Sequence, residues 1–344
     1  MKVLHLSHHY GCLKDHQYVC NQLGIELESK FSKWSQVIPK DTYIITKHVV
    51  KDIWSKYADY FNTFDYIITS DTAPLSRIFL ENIDDLKPKV IIWVCNRFNY
   101  NMEADAEYHQ LIGKYADDGR VKIVPYTEFE RFWLERSSIR TEYETIRPIG
   151  LVVPEPINES EEHDVGLDGD YKFDDSPGDV LVSRYHNDTL WQDSVKMMEH
   201  YNLTADPCKY RGYKGLVELA KKYEAYFILP EQYSKFAAFE LMNIGLPVIL
   251  PSEEFLLHLS TTKNSTTNGN YWFGSGLYEN TTNVCEWYNE YYDQFALYID
   301  DFEEIPETFE IVKEHKKKIR GIMKKCAKEH QSKTLDQWRK IYNV

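Results

Sequence analysis

Ser234 and Lys235 stand where a polar segment passes into an apolar helical run, and that position suits an anion. The first N–H groups of a helix have no partner within the helix, and the helix dipole is positive at that end. The Lys235 ammonium adds a full positive charge at the same place. The ring of Tyr233, one position earlier, can stack on a base or a sugar. The spacing therefore predicts a diphosphate site at this helix start.

Three more polar side chains stand at similar positions in the second half of the chain. Arg184 lies just beyond the apolar run 180–182, and His186 follows two residues later. Ligands of open α/β sheets bind beyond the carboxyl ends of the strands, where a guanidinium can hold a diphosphate bidentately. A salt bridge from Arg184 to nearby acidic residues is the competing interpretation. Lys214 opens another expected helix and is a further phosphate candidate.

In the first half, His8, His9 and Asp15 follow the first apolar run. Histidine and aspartate can accept the proton of an attacking hydroxyl group, so these three are candidate catalytic bases. Surface or helix-capping roles are the alternative for each histidine. A metal site is a further hypothesis for this histidine-rich segment, but the spacing forms no recognised ligand set, so we expect no bound metal.

Polar residues also end two later strands of the first half. Asp71 closes one apolar run, and Asn96 and Arg97 follow another. If the sheet is parallel, these strand ends converge on one crevice together with the histidines. We therefore expect Asp71, Asn96 and Arg97 to lie on the side of a second substrate.

The elements that carry these residues alternate along residues 1–150. Short apolar runs between amphipathic segments are typical of a parallel sheet covered by helices on both faces. We expect a turn through Gly11. The expected strands are 3–6, 43–45, 66–68, 90–94, 121–124 and 146–149, and the expected helices are 15–23, 49–61, 73–81 and 128–136.

The second half repeats this plan after a strongly acidic segment, 151–179, which we interpret as a linker. A second domain, 180–310, is expected to contain a loop at 260–270 and a helix at 285–299. C-terminal helices at 311–344, with a break near Ser332, are expected to cross back to the first domain. The other expected strands are 180–182, 208–210, 226–229 and 248–250, and the other expected helices are 190–200, 216–223 and the run before Gly245.

Composition excludes several classes of function. The net charge of −14 argues against nucleic acid or an anionic membrane surface as the main partner. No apolar run reaches the roughly 18 residues that a membrane span requires. The chain enters a strand at once and its six cysteines form no CxxC pair, so we expect reduced thiols and a cytoplasmic location. Dinucleotide-binding, P-loop, zinc-protease and serine-hydrolase motifs do not occur.

The order of Glu240, Gly245, Pro247, Val248 and Ile249 resembles a motif of retaining GT-B glycosyltransferases. In that family a helix with an inner glutamate precedes a Gly-x-Pro-Val-Ile element. The resemblance implies two Rossmann-like domains with an interdomain cleft, no required metal, and contact between Glu240 and the donor ribose. The family has a second glutamate eight residues earlier, where this chain has Gln232. The sequence therefore leaves retention or inversion of stereochemistry open.

Other segments are similar to GT-B enzymes of large DNA viruses of algae and protists, which implies the cytoplasm of a host cell. These segments are 8–12, 96–98, 182–188 and 230–239. The expected activity is transfer of a sugar from a UDP- or GDP-sugar to a glycan, glycoprotein or other hydroxyl, without a cofactor. Two alternatives stay open. One is a nucleotide-sugar 2-epimerase on the same fold, and the other is a catalytically inactive relative that acts as a binding subunit.

Overall fold

The computed structural model describes residues 1–32, 36–38, 45–95, 106–139, 145–150, 178–183, 190–208, 217, 220–230, 236–262 and 284–344. The chain divides into two compact units. The first unit contains Met1–Ile149 and His330–Val344, and the second contains Gly150–Glu329. Each unit is described on its own below.

The first unit is a five-stranded parallel sheet in the order β2-β1-β3-β4-β5 with helices between the strands. The fully apolar runs predicted as strands are confirmed, and they are buried on both faces, as a covered parallel sheet requires. The elements are β1 Lys2–Ser7, α1 Tyr10–Leu23, β2 Glu26–Phe31, α2 Lys47–Phe61, β3 Tyr66–Asp71, α3 Arg77–Leu80, β4 Lys89–Val94, α4 Ala106–Asp117, β5 Val121–Pro125 and α5 Glu128–Arg136.

Two of the expectations for the first unit are wrong, and one strand was not predicted. Gly11 lies inside α1 and not in a turn, because His9 caps the helix earlier and its side chain accepts a hydrogen bond from the Cys12 N–H. The residues 146–149, expected as a strand, form no regular secondary structure. β2 was not predicted, since its sequence ELESKF is polar and lies at the edge of the sheet, where alternation and burial are weak.

The second unit contains another five-stranded parallel sheet, in the order β10-β9-β8-β6-β7. Its apolar core includes Val182, Phe227 and Ile249 from three neighbouring strands. The elements are β6 Val180–Ser183, α6 Leu190–His200, β7 Ala205–Cys208, β8 Ala225–Phe227, α7 Phe236–Ile244, β9 Val248–Pro251, α8 Glu253–Thr262, β10 Leu297–Ile299 and α9 Ile305–Tyr342.

The C-terminal part of the chain differs from the sequence-based expectation in two ways. The aromatic-rich segment 285–299 is not one helix: it contains two short 3₁₀ turns and then β10, which pairs with β9. The tail is one continuous helix of 38 residues, α9, with no break at Ser332. The first part of α9 belongs to the second unit, and its last part, from His330, belongs to the first.

The end of α9 packs into the first unit through aromatic and polar contacts. The rings of Trp338 and Trp93 meet edge to face with centroids 5.4 Å apart. His330 Nε2 lies 2.7 Å from the carbonyl oxygen of Pro148, to which it donates a hydrogen bond. Buried aromatic contacts of this kind add to the area-based stabilisation by about 0.5–1.5 kcal/mol each.

Candidate functional site

The polar edge of the second sheet is built by two adjacent strands. The buried Ser183 ends β6, and its Oγ accepts a hydrogen bond of 3.0 Å from the N–H of Leu229, just beyond β8. The chain therefore leaves β6 and β8 side by side at the carboxyl edge of the sheet. Several predicted donor-side residues follow these two strand ends in sequence. Arg184, His186, Lys214, Tyr233, Ser234 and Lys235 lie outside the described residues, as does nearly all of the acidic segment 151–179.

Glu240 is the predicted donor-side residue that the structure describes. It lies in α7 and is 1% exposed, in a helix whose other residues are mostly apolar. A glutamate is rarely this buried unless a partner compensates its charge. Gly245 ends the helix at φ 74°, and Arg320 Nε donates a hydrogen bond of 3.0 Å to its carbonyl oxygen. Glycine and a cation are both favoured at helix C-termini, so the end of α7 is well fixed.

At Gly150 the main chain packs directly against the main chain of α7. Its φ is +72°, and a Cβ added there would lie 2.4 Å from the carbonyl carbon of Phe239 and 2.7 Å from the Glu240 nitrogen. Any other residue at this position would have to displace the middle of α7. The position of Glu240 therefore depends on a glycine far away in sequence.

At the carboxyl edge of the first sheet, the histidines predicted as bases surround the end of β1. His8 is half-buried, and His9 is exposed and caps α1. Ser7 holds the turn, because its Oγ accepts from the His9 N–H at 2.9 Å and donates to the His9 carbonyl at 3.2 Å. The predicted acceptor-side residue Asp71 ends β3 at the same edge. Asn96 and Arg97 lie outside the described residues.

A buried hydrogen-bond chain, which we call the histidine relay, leads from the interior of the first unit to the turn at Ser7. It consists of Ser70, His5, His16 and Tyr342 and ends on Ser7 Oγ. The successive distances are 2.8 Å from Ser7 to Ser70, 2.8 Å from Ser70 to His5 Nε2, 3.1 Å between the Nδ1 atoms of His5 and His16, and 2.8 Å from His16 Nε2 to the Tyr342 hydroxyl.

The donor and the acceptor of each hydrogen bond in the relay can be assigned consistently. Since Ser7 donates to a carbonyl, Ser70 must donate to Ser7, and His5 Nε2–H must donate to Ser70. His5 Nδ1 then accepts from His16 Nδ1–H, and His16 Nε2 accepts from Tyr342. Both imidazoles are neutral in this arrangement. Burial, and to a smaller extent electrostatic repulsion between the protonated forms of His5 and His16, hold the pKa of His5 well below its usual range, and burial lowers the pKa of His16 to about 3.

Asp71 has an unusual backbone conformation for its residue type. Its φ is 76°, in the left-handed region that non-glycine residues adopt at a cost. Such strain is often retained at functional sites, where the surrounding structure compensates for it. Cys12, in the first turn of α1, and Cys95, directly after β4, are also at this edge of the sheet.

Asp15 is 0% exposed, and its Oδ2 accepts a hydrogen bond of 3.1 Å from the N–H of Ile149. The carboxylate therefore ties α1 to the end of the segment 145–149. This position favours a bracing role over proton transfer to a bound substrate, because the carboxylate is shielded from solvent.

No group of three or more His, Cys, Asp or Glu side chains in the described ranges is arranged to hold a metal ion. In the same ranges, none of the helices combines the length and the hydrophobicity needed to span a membrane.

Comparison with known proteins adds information about the fold. No protein-family model matches the sequence, and no curated protein sequence matches it. The structure is similar to that of Anabaena HepE in complex with UDP and glucose, with a TM-score of 0.53, 10% identity, and coverage of 100% of this chain and 98% of that one.

Two further solved structures show weaker similarity over similar lengths. UDP-GlcNAc 2-epimerase from Neisseria meningitidis bound to UDP-GlcNAc has a TM-score of 0.48, with 12% identity and coverage of 97% and 99% of the two chains. An Arabidopsis thaliana protein complexed with UDP-L-rhamnose has a TM-score of 0.43, with 11% identity and 98% coverage of both chains. The two parallel sheets, the long C-terminal helix and the full-length similarity to the Anabaena structure together give this chain the GT-B fold that the sequence predicted.

Proposed function

We propose that this protein is a glycosyltransferase that transfers a sugar from a nucleoside diphosphate donor to a hydroxyl group of a glycan or another acceptor. The observation that carries the proposal is the burial of Glu240 in the helix of a GT-B-like motif, on a GT-B fold. The Anabaena protein of this fold was solved with UDP and glucose, which supports a nucleotide sugar as the ligand class.

On the donor side, we propose that Glu240 accepts hydrogen bonds from the ribose hydroxyls. Arg184, His186, Lys214, Ser234 and Lys235 would face the diphosphate, with Tyr233 against the base or the sugar. Arg184 and Lys235 would stabilise the negative charge that grows on the leaving diphosphate. Removing one such donor commonly costs about 3 kcal/mol of transition-state stabilisation.

On the acceptor side, we propose His8 or His9 as the base for the attacking hydroxyl, because both stand at the end of β1 without being fully buried. Asp71, Asn96 and Arg97 would bind the acceptor. Asp15, named with the histidines in the sequence analysis, would act indirectly by fixing α1. The reaction as proposed requires no metal ion and no cofactor, because protein cations balance the diphosphate.

The Glu240 role is tested with the isosteric change Glu240→Gln and UDP in a calorimetric titration. Loss of a charged acceptor for the ribose hydroxyls should weaken UDP or GDP binding by about 1.5–3 kcal/mol, or roughly 10- to 100-fold in Kd. Glu286→Gln is the matched control, because Glu286 is also a 1% exposed glutamate of the second unit and its Oε2 accepts from the side chain of Asn289 at 2.9 Å. Equal affinities in wild type and Glu240→Gln would contradict the role.

The phosphate role is tested with Lys235→Ala, for which Lys328→Ala, an exposed lysine of α9, is the matched control. We expect weaker binding of the nucleoside diphosphate in the first variant alone, with a smaller effect on the nucleoside, which has no phosphate. Equal weakening of both ligands would assign Lys235 to another part of the donor.

Incubation of the donor without an acceptor distinguishes the two enzymatic interpretations. An epimerase converts the sugar alone, whereas a glycosyltransferase needs the second substrate. A panel of UDP- and GDP-sugars in a thermal-shift screen addresses the inactive interpretation, since a binding-competent protein gains stability with its ligand. The similarity of several segments to viral enzymes stays a prediction, as does location in a host cytoplasm.

A further inference from the structure

The turn that carries His8 and His9 is closed by a single side chain. Ser7 Oγ accepts a hydrogen bond of 2.9 Å from the His9 N–H and donates one of 3.2 Å to the His9 carbonyl oxygen. One hydroxyl group therefore binds both polar backbone groups of His9, and His8 lies within the loop that these bonds close. Because His8 and His9 are the candidate bases of the proposed function, a residue that fixes the Ser7 hydroxyl also fixes the backbone that carries them.

Ser70 is the residue that contacts the Ser7 hydroxyl from the neighbouring strand. The two serines are partners in the register of β1 and β3, and Ser70 Oγ donates to Ser7 Oγ at 2.8 Å. Ser7 Oγ then accepts two hydrogen bonds and donates one, which is the full capacity of a hydroxyl group. Because both of its lone pairs are occupied, its proton has one direction left, toward the His9 carbonyl oxygen.

The rest of the histidine relay sets the direction of the Ser70 hydroxyl. Side chains alternate between the two faces of a strand, so His5 lies on the same face of β1 as Ser7. His5 Nε2–H donates to Ser70 Oγ at 2.8 Å, and the Ser70 proton must therefore point to Ser7. The Tyr342 hydroxyl, which donates to His16 Nε2, keeps the His16 proton on Nδ1 and so the His5 proton on Nε2.

The relay places polar side chains where a covered parallel sheet ordinarily has apolar ones. His5 and Ser7 are 0% exposed, and Ser70 is 1% exposed. Buried polar groups cost free energy unless they are hydrogen-bonded, and a buried network in which every member is bonded makes the surrounding structure rigid. We propose that Ser70 is a positioning residue that orients Ser7 and thereby keeps the turn before α1 in one conformation. The consequence for catalysis rests on the proposed function, whereas the effect on the turn does not.

Hydrogen exchange measures the proposed effect on the turn directly. In Ser70→Ala the His9 amide should exchange about 2- to 10-fold faster than in wild type, because its acceptor, Ser7 Oγ, loses its fixed orientation. Ser70→Thr keeps a hydroxyl group and should restore slow exchange. Thr69→Val is the matched control, since Thr69 is 0% exposed in the same strand and its hydroxyl has no partner among the described residues. Equal His9 exchange in wild type and Ser70→Ala, or the same acceleration in Thr69→Val, would overturn the proposal.

The proton positions of the relay in wild type provide a test that does not depend on the folding of variants. NMR of the imidazole nitrogens distinguishes the two neutral tautomers of each histidine. At neutral pH we expect the proton of His5 on Nε2 and that of His16 on Nδ1. If the His5 proton were on Nδ1, His5 Nε2 would have to accept from Ser70, which could then not donate to Ser7. That result would overturn the proposal.

Kinetics separate this proposal from the proposed function. Because a small misplacement of a catalytic group slows a reaction strongly, kcat for sugar transfer should fall by up to about 100-fold in Ser70→Ala while the KM for the donor stays near wild type. Ser70→Thr should regain kcat, and full kcat in Ser70→Ala would overturn the catalytic consequence. A wild-type protein without transferase activity would contradict the proposed function, and hydrogen exchange and NMR would then still decide the role of Ser70. Unchanged exchange in Ser70→Ala of an active enzyme would overturn the role of Ser70 alone.

Discussion

His16 Nδ1 lies 3.1 Å from His5 Nδ1, so two buried imidazoles meet nitrogen to nitrogen inside the first unit. One nitrogen must carry the proton and the other must accept it, so protonation of His5 at Nδ1 would place two donors face to face. Protonation of His16 at Nε2 would instead oppose the hydroxyl group of Tyr342, which donates to this nitrogen. The relay therefore favours neutral forms of both rings, in agreement with their lowered pKa values.

This contact predicts a loss of stability in mild acid. In the unfolded chain both histidines bind protons below about pH 6.5, whereas in the folded state they do not until the pH is far lower. The unfolded state then binds more protons, so the free energy of unfolding falls as the pH drops from about 6.5. Each histidine contributes a slope of up to about 1.4 kcal/mol per pH unit. Urea unfolding at a series of pH values between 7 and 5 measures the slope.

The variant His16→Asn should reduce that slope, even if it lowers stability at every pH, because it removes one titrating group. His48→Asn is the control, since the side chain of His48 is 84% exposed. A slope in His16→Asn equal to that of wild type would show that His16 is protonated to the same extent in both states.

Gly150→Ala should damage α7 more than its backbone conformation alone explains. The substitution forces a φ of +72° on alanine and also a contact of 2.4 Å with Phe239. Gly245→Ala is the matched control: its φ is +74°, but its nearest neighbour is a side-chain carbon of Arg320 at 3.8 Å. We expect the control to lose about 1 kcal/mol and Gly150→Ala to lose clearly more, as measured by thermal unfolding. Equal losses would mean that α7 shifts without cost.

His9→Asn separates capping from catalysis at the end of β1. Asparagine is a good N-cap residue, so α1 should keep its start, but an amide cannot accept the proton of a hydroxyl group. If His9 is the base, turnover should fall by about 10²- to 10⁴-fold while donor affinity stays near that of wild type. Steady-state kinetics and donor calorimetry measure the two quantities. Full turnover in His9→Asn would move the assignment to His8, and His48→Asn serves as the neutral control.

Arg320→Met should loosen the C-terminal end of α7. The guanidinium donates to the carbonyl oxygens of Gly245 at 3.0 Å and Ala220 at 3.3 Å, and methionine keeps much of the packing without either bond. We expect a loss of about 1–3 kcal/mol and faster hydrogen exchange of the amides in α7. Lys324 is exposed in α9, the helix that carries Arg320, so Lys324→Met should leave the stability and the exchange rates of α7 unchanged. Unchanged exchange in Arg320→Met would mean that water replaces the guanidinium.

The sequence predicted the elements whose local pattern agrees with their environment. The buried strands of both sheets and the helices α5 and α6 are of this kind, since the hydrophobic periodicity of their sequences agrees with the burial of their side chains. Tertiary packing overrode the local signal elsewhere. The aromatic residues of 285–299 suggested a helix, but Trp287 and Tyr292 are buried core residues of an irregular segment, and the edge of the sheet takes up Leu297–Ile299 as a strand.

The candidate site was predictable only in part, for a related reason. The end of an apolar run marks the end of a buried strand, so the sequence indicated the positions of Asp71 and of the turn at His8 and His9. Long-range pairs leave no local pattern: the hydrogen bond between His16 and Tyr342, for example, has no sequence signal. The sequence therefore did not predict the relay.

The strand β2, at one edge of the first sheet, affects how the protein behaves in concentrated solution. β2 reads ELESKF, and Lys30 Nζ lies 2.8 Å from Glu28 Oε1 along it. Charged side chains on an edge strand hinder its pairing with a strand from a neighbouring molecule. Concentrated solutions should therefore resist fibre-like association along this border. Replacing Glu26, Glu28 and Lys30 by threonine should make the protein precipitate at lower concentrations without changing its fold.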